Sequence, residues 1–183
     1  MKYCTECASA LELRVPEGDL LPRHVCPGCG LIHYQNPKLI VGCVAAWDQR
    51  ILLCRRAIEP RLGLWTLPAG FMENGESTRQ AACRETLEEA CARVDIDALF
   101  ALVNVRAVDQ VNVFYRGRLL DTDFAPGSES LETRLFAEAE IPWEELAFRS
   151  VTRCLEAYFA DRRAGAFGVH DLEVAPPLTR RRD

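Results

Sequence analysis

GFMENGESTRQAACRETLEEACA, from Gly70 to Ala92, gathers Glu76, Glu85, Glu88, Glu89 and Arg84 on and beside one short segment. On a 3.6-residue repeat Glu85, Glu88 and Glu89 share a face, while Cys83, Thr86, Leu87, Ala90 and Val94 fall on a mostly apolar side expected to pack on a core. Carboxylates three and four residues apart repel by about 0.2–0.5 kcal/mol each in water, and by more when partly buried. Divalent cations convert that repulsion into attraction, so the face reads as a cation site. Upstream, the Pro, Gly and Asn of WTLPAGFMENGES require a sharply turning loop. Ser77 and Gln80 then form an S-x-x-Q capping box, which predicts a helix over about Ser77–Cys91.

The chain around this segment has 183 residues, 49% hydrophobic and 27% charged, with a net charge of −5, the numbers of a soluble protein with one sizeable domain and a small appendage. Its longest apolar run, Leu39–Trp47, is half of what a bilayer needs and suits a buried strand. The opening MKYCTEC has no apolar signal region, so a cytoplasmic protein without a membrane partner is expected. The acidic balance argues against duplex nucleic acid as a partner.

Nine cysteines, an odd number without a secretion signal, point to metal binding and reduced thiols. Cys4, Cys7, Cys26 and Cys29 have the C-x2-C-x18-C-x2-C spacing of a structural zinc site, and CPGCG supplies the glycines of a tight metal-binding turn. Some thirty residues cannot build an adequate core, so zinc is expected to stabilise this module. Cys43, Cys54, Cys83, Cys91 and Cys154 lack paired spacing and read as small buried hydrophobes. His24 and His33 flank the second knuckle, and four thiolates leave them a surface or supporting role.

These anchors divide the chain into a zinc ribbon at 1–36, a domain at 37–165, and a tail at 166–183 expected to be disordered. Strands are expected near 39–47, 51–56, 99–108, 111–120 and 133–137, with helices near 142–146 and 149–163 beside the glutamate helix. Interleaved strands and helices indicate an α/β domain whose mixed sheet is covered on both faces.

The full spacing, G-x5-E-x7-R-E-x-x-E-E, resembles the signature of the Nudix hydrolase family. Cys91 stands where that signature closes on a glycine, and Thr86 fills its first apolar slot; neither is a ligand position. LLCRRAIEPRLGLWTLPAGFMENGES and SLETRLFAEAEIPWEEL are also similar to the family's zinc-ribbon subgroup. The resemblance implies the Nudix α/β/α sandwich with the loop-helix-loop at the mouth of a cleft, preceded by a zinc ribbon. It implies catalytic Mg2+ or Mn2+ held by Glu85 and Glu89, by Glu88 directly or through water, and by the carbonyl of Gly70. Glu76 is expected to tie the loop to the helix, and Arg84 to orient a carboxylate, to pair with Glu76, or both. A general base from outside the helix is expected at Glu132, or second at Glu129. One of Arg55 and Arg56 should face the cleft and hold a phosphate, since strand alternation forbids both, and Phe71, Phe114 or Tyr115 is placed to stack on a base or flavin. Trp65 and Trp143 are expected to anchor the loop and the late helix.

The implied activity is hydrolysis of the pyrophosphate bond of a nucleoside diphosphate linked to another group, with ADP-ribose and FAD as leading substrates and a homodimer as the assembly. A hydrolase of NADH or NAD-capped RNA, and a non-catalytic nucleotide sensor, are the alternatives. The SQPWPFP-type segment of the NADH-cleaving branch is absent, and Val108 stands where many ADP-ribose specialists carry proline.

Overall fold

The computed structural model describes residues 1–175, which form two compact units, Met1–Asn36 and Pro37 onward. In the first unit β1 (Glu12–Arg14), β2 (Arg23–Val25) and β3 (Ile32–His33) form an antiparallel sheet. Its buried apolar side chains are Cys4, Pro16, Val25 and Cys26, far too few to fold it by burial alone. The four sulfurs of Cys4, Cys7, Cys26 and Cys29 instead converge, all within 4.8 Å of one another. Cys4 and Cys29 Sγ are 3.7 Å apart and Cys7 and Cys26 Sγ 3.3 Å, close to the ~3.8 Å edge of a tetrahedron with ~2.3 Å metal–sulfur bonds.

The second unit is built on β4 (Lys38–Trp47), which pairs with β5 (Arg50–Arg56) across the Asp48–Gln49 turn. β6 (Trp65–Thr66) and β7 (Ala69–Phe71) follow on β5 and β4, and then comes α1 (Thr78–Ala90). β8 (Val94–Val105), β9 (Gln110–Leu119), β10 (Ser130–Ala137), α2 (Arg149–Ala164) and β11 (His170–Glu173) complete the unit. The sheet runs β10-β5-β4-β9-β8-β11 and is mixed, since β4–β9 and β8–β11 are parallel and the other pairs along it antiparallel.

Period-two alternation gives each face its own core. Val44, Ile51, Leu53, Phe100 and Phe114 pack with α2, which contributes Val151, Cys154, Leu155, Tyr158 and Phe159 at i, i+3, i+4, i+7 and i+8. Burial of each large side chain here is worth about 1.5–3 kcal/mol. Val41, Cys43, Leu52, Cys54 and Val113 pack with α1, whose buried contacts are small: Ala81, Ala82 and Ala90. Thr86 is buried with its hydroxyl donating to Ala82 O at 2.7 Å, so a polar residue in that apolar slot is internally satisfied. The architecture is the α/β/α sandwich expected.

Several local expectations are corrected. Leu87, assigned to the packed side of the helix, is 52% exposed, because alanines rather than Leu87 face the sheet. Residues 142–146 form a 3-10 turn at Trp143–Glu145 in place of a helix, and 106–108 a 3-10 turn in place of strand. Trp65 is buried edge-on against Phe136, whereas Trp143 is 37% exposed and meets α2 at Phe159. The stretch 166–183, expected to be disordered, holds β11, held along β8 and pinned where Asp161 accepts from Gly168 N and His170 Nε2. Residues 176–183 lie outside the described residues. No helix among the described residues is long and apolar enough to cross a membrane.

Candidate active site

Helix α1 begins where the sequence places it: the Ser77 hydroxyl accepts from Gln80 N while the Gln80 side chain accepts from Ser77 N. It ends at Cys91, which adopts the left-handed conformation with φ 48°. Between these ends Glu85 and Glu89 are each only 7% exposed, and Glu88 lies at the rim. The backbone of β7 runs directly beside them. A Cβ on Gly70 would lie 2.4 and 2.5 Å from the two Glu85 carboxylate oxygens, so only glycine lets main chain and carboxylate approach this closely. Ala69 N donates to Glu89 Oε2 at 3.1 Å.

Arg84 organises the cluster. Its Nε and Nη2 grip Glu76 in a fork at 3.0 and 2.7 Å, and Nη1 reaches Glu85 at 2.7 Å and Glu88 at 2.8 Å. Nη2 also donates to the Phe71 carbonyl at 3.1 Å. Arg84 therefore occupies both expected positions, pairing with Glu76 and meeting Glu85 and Glu88. Glu76, with Arg84 first and the Glu73 N–H second, is held down at about 2 and stays ionised. Burial pushes Glu85 up, against the pull of Arg84. Burial pushes Glu89 up to about 8, opposed by Ala69 N–H and Arg56 and reinforced by Glu85 and Glu129. Two buried carboxylates disfavoured as anions, backed by a main-chain strand and an acidic rim, are a donor set that suits a hard divalent cation.

The structure separates the two candidate bases. Directly opposed residues on neighbouring strands point to the same face. Cys54 packs in the core beneath α1, and Ser130 lies opposite Arg56, two residues along on that face. A bulge between Ser130 and Glu132 then shifts the pairing so that Glu132 faces Arg55, on the α2 side, where the two side chains are 3.8 Å apart. The expectation that Glu132 aims at the cluster is corrected by this slip. Glu129, before the bulge, is the carboxylate whose charge acts on both Glu85 and Glu89.

The same alternation separates the arginines. By alternation Arg56 falls on the α1 side of the strand and its charge acts on Glu89, its guanidinium lying 5.1 Å over the Phe148 ring, whereas Arg55 lies with Glu132 and donates to Gly63 O at 2.9 Å. Arg56 also donates to Pro60 O at 2.8 Å. Of the aromatics, Phe114 is buried in the core and Tyr115 is engaged by the Thr78 hydroxyl at 2.6 Å. Phe71 is 53% exposed, with Lys38 Nζ 5.3 Å from its ring centre.

The family model described as "NUDIX domain" matches residues 36–158, and that described as "Nudix N-terminal", a zinc ribbon, matches 2–35. The crystal structure of a NUDIX hydrolase from Nitrosomonas europaea is 53% identical and superposes with a TM-score of 0.92 over 95% of this chain and 99% of that one. The NAD-capped RNA hydrolase NudC of Pseudomonas aeruginosa is 27% identical over 90% of this chain and 58% of its own length. The ADP-ribose pyrophosphatase of Methanocaldococcus jannaschii is 26% identical over 63% of this chain and 69% of its own. The chain spans between 30% and 58% of the length of the NudC relatives it matches first.

Proposed function

Because the chain belongs to the Nudix hydrolase family, we propose that it is a pyrophosphatase that cleaves the diphosphate of a nucleoside diphosphate linked to another group, releasing a nucleoside monophosphate. The observation that carries this reading is the convergence of Glu85, Glu88 and Glu89 with the close-packed Gly70 backbone under the control of one arginine. Glu85, Glu89, Glu88 and the Gly70 carbonyl would hold Mg2+ or Mn2+. A cation bound there supplies charge neutralisation at the diphosphate and acidifies water. Arg84, itself fixed by Glu76, keeps Glu85 and Glu88 turned toward one another. Glu129 accepts the proton of the attacking water from across the cluster. Arg56 presents the substrate phosphate with a fixed positive charge, and Phe71 offers a partly exposed ring to a base or flavin. Zinc on the four thiolates of the first unit would be structural, with no position left open for water.

ADP-ribose and FAD are the substrates favoured, in keeping with the missing SQPWPFP segment. NADH or NAD-capped RNA is a second reading, favoured by the NudC relative that matches across both units. Purified protein offered ADP-ribose, FAD, NADH, diadenosine polyphosphates and NAD-capped RNA, first with Mg2+ and then Mn2+, is expected to cleave the phosphoanhydride of one of them at least tenfold faster than that of the others. That factor corresponds to about 1.4 kcal/mol in transition-state binding. No cation-dependent cleavage of any of these would overturn the reading.

A further inference from the structure

The last turn of α1 leaves carbonyls without intrahelical partners. Two of them are taken by a segment distant in sequence: Ala125 N donates to Ala90 O and Gly127 N to Glu89 O, each at 3.0 Å. Glu89 thus gives its carboxylate to the cluster and its carbonyl to this clasp. The approach is as close as a glycine allows. A Cβ on residue 127 would lie 1.7 Å from Glu88 O and 2.8 Å from the same carbonyl carbon, backbone atoms that cannot rotate aside. Gly127 does not have a positive φ, so proximity rather than conformational freedom requires it. From this anchor Ser130 N returns to Gly127 O at 3.1 Å, closing a tight turn with Glu129 inside it, and Glu129 O accepts from Ala57 N at 2.8 Å.

We infer that Gly127 is a positioning residue: its contact with the end of α1 sets where Glu129 stands relative to Glu85 and Glu89. This rests on the assignment of Glu129 as proton acceptor. A side chain at 127 must lift the segment from the helix, and the short turn passes that displacement to Glu129.

The test uses the full chain with saturating Mg2+ and the best substrate of the panel, comparing Gly127→Ala, Glu129→Gln and the double variant. Each single change is expected to lower kcat about 100-fold, with KM within about twofold of the parent. The double variant should fall no more than about threefold below the worse single one, since both remove the same function. Multiplying losses would show that residue 127 acts independently of Glu129 and overturn the inference. Glu129→Gln impaired with Gly127→Ala at the parental kcat overturns the inference alone. Parental kcat in Glu129→Gln overturns the proton-acceptor assignment and the inference together. Should Gly127→Ala fail to fold by circular dichroism, a glycine inserted between Ser128 and Glu129 leaves the clasp in place while moving the carboxylate. It is expected to reproduce the kcat loss, and full activity in it overturns the inference.

Discussion

At Glu89 burial and the neighbouring Glu85 and Glu129 favour the neutral carboxyl, while Ala69 N–H and Arg56 favour the anion. Glutamine has nearly the shape of that neutral carboxyl and still offers an oxygen to Ala69 N. Glu89→Gln is therefore expected to fold like the parent, by circular dichroism, and to lose several orders of magnitude in kcat with Mg2+ saturating. Parental turnover would remove Glu89 from the ligand set. Cys91 makes the opposite case, a residue whose identity costs stability. It sits in the left-handed region, is exposed, and ends the helix where the family signature has glycine. Cys91→Gly should relieve about 1 kcal/mol, seen as a rise in Tm of about 2–4 °C; an unchanged or lower Tm would show that the cap is unstrained.

Among the elements, α1 was legible because its information is local. Its capping box, its 3.6-residue spacing and its acidic face all lie within fifteen positions, and the observed Thr78–Ala90 helix agrees with them. β10 was legible as a strand but not in phase, since a one-residue bulge turns Glu132 from one face of the sheet to the other. No residue type marks that bulge; pairing with β5 decides it. β11 was missed for a related reason. Its four residues, HDLE, alternate too briefly to signal a strand, and they become one by lying along the preformed edge of β8. Asp161 holds that edge strand through His170 and Gly168, and those hydrogen bonds, His170 first, lower its pKa. A carboxylate lowered in the folded state contributes stability that is complete above its unfolded value of about 3.9 and is lost as pH falls through the folded one. Amides of 170–173 should therefore keep their hydrogen-exchange protection at pH 5 and lose it near pH 3 ahead of the β4–β9 core, and Asp161→Ala should lower it at pH 5 while matching the parent near pH 3. Equal protection in that variant at pH 5 would assign the strand's hold to apolar contacts, Phe167 edge-on to Phe100 and Leu172 against the α2-side core.

On the scale of the whole molecule, the two units are stabilised by different physics. The first has four buried apolar side chains and four converging sulfurs, so its folding free energy is expected to come from metal, typically about 10–16 kcal/mol for a structural zinc. A strong chelator should release one zinc per chain, measured by atomic emission, and erase the amide protection of residues 1–36; stoichiometric iron, or no metal, would contradict this. The second unit has two apolar layers and no such dependence in its core. The sequence by itself determined the ribbon's ligand spacing, the glutamate helix with its caps, and the layered α/β class, because each is written in periodicities and short spacings that the backbone geometry reads directly. Only the tertiary structure decided that Glu132 is turned to Arg55, that the two adjacent arginines fall on opposite faces of the sheet, and that the chain at 127 passes too close to α1 for any side chain. Those outcomes depend on strand register and on backbone segments about forty residues apart coming into contact, and neither leaves a local pattern in the chain.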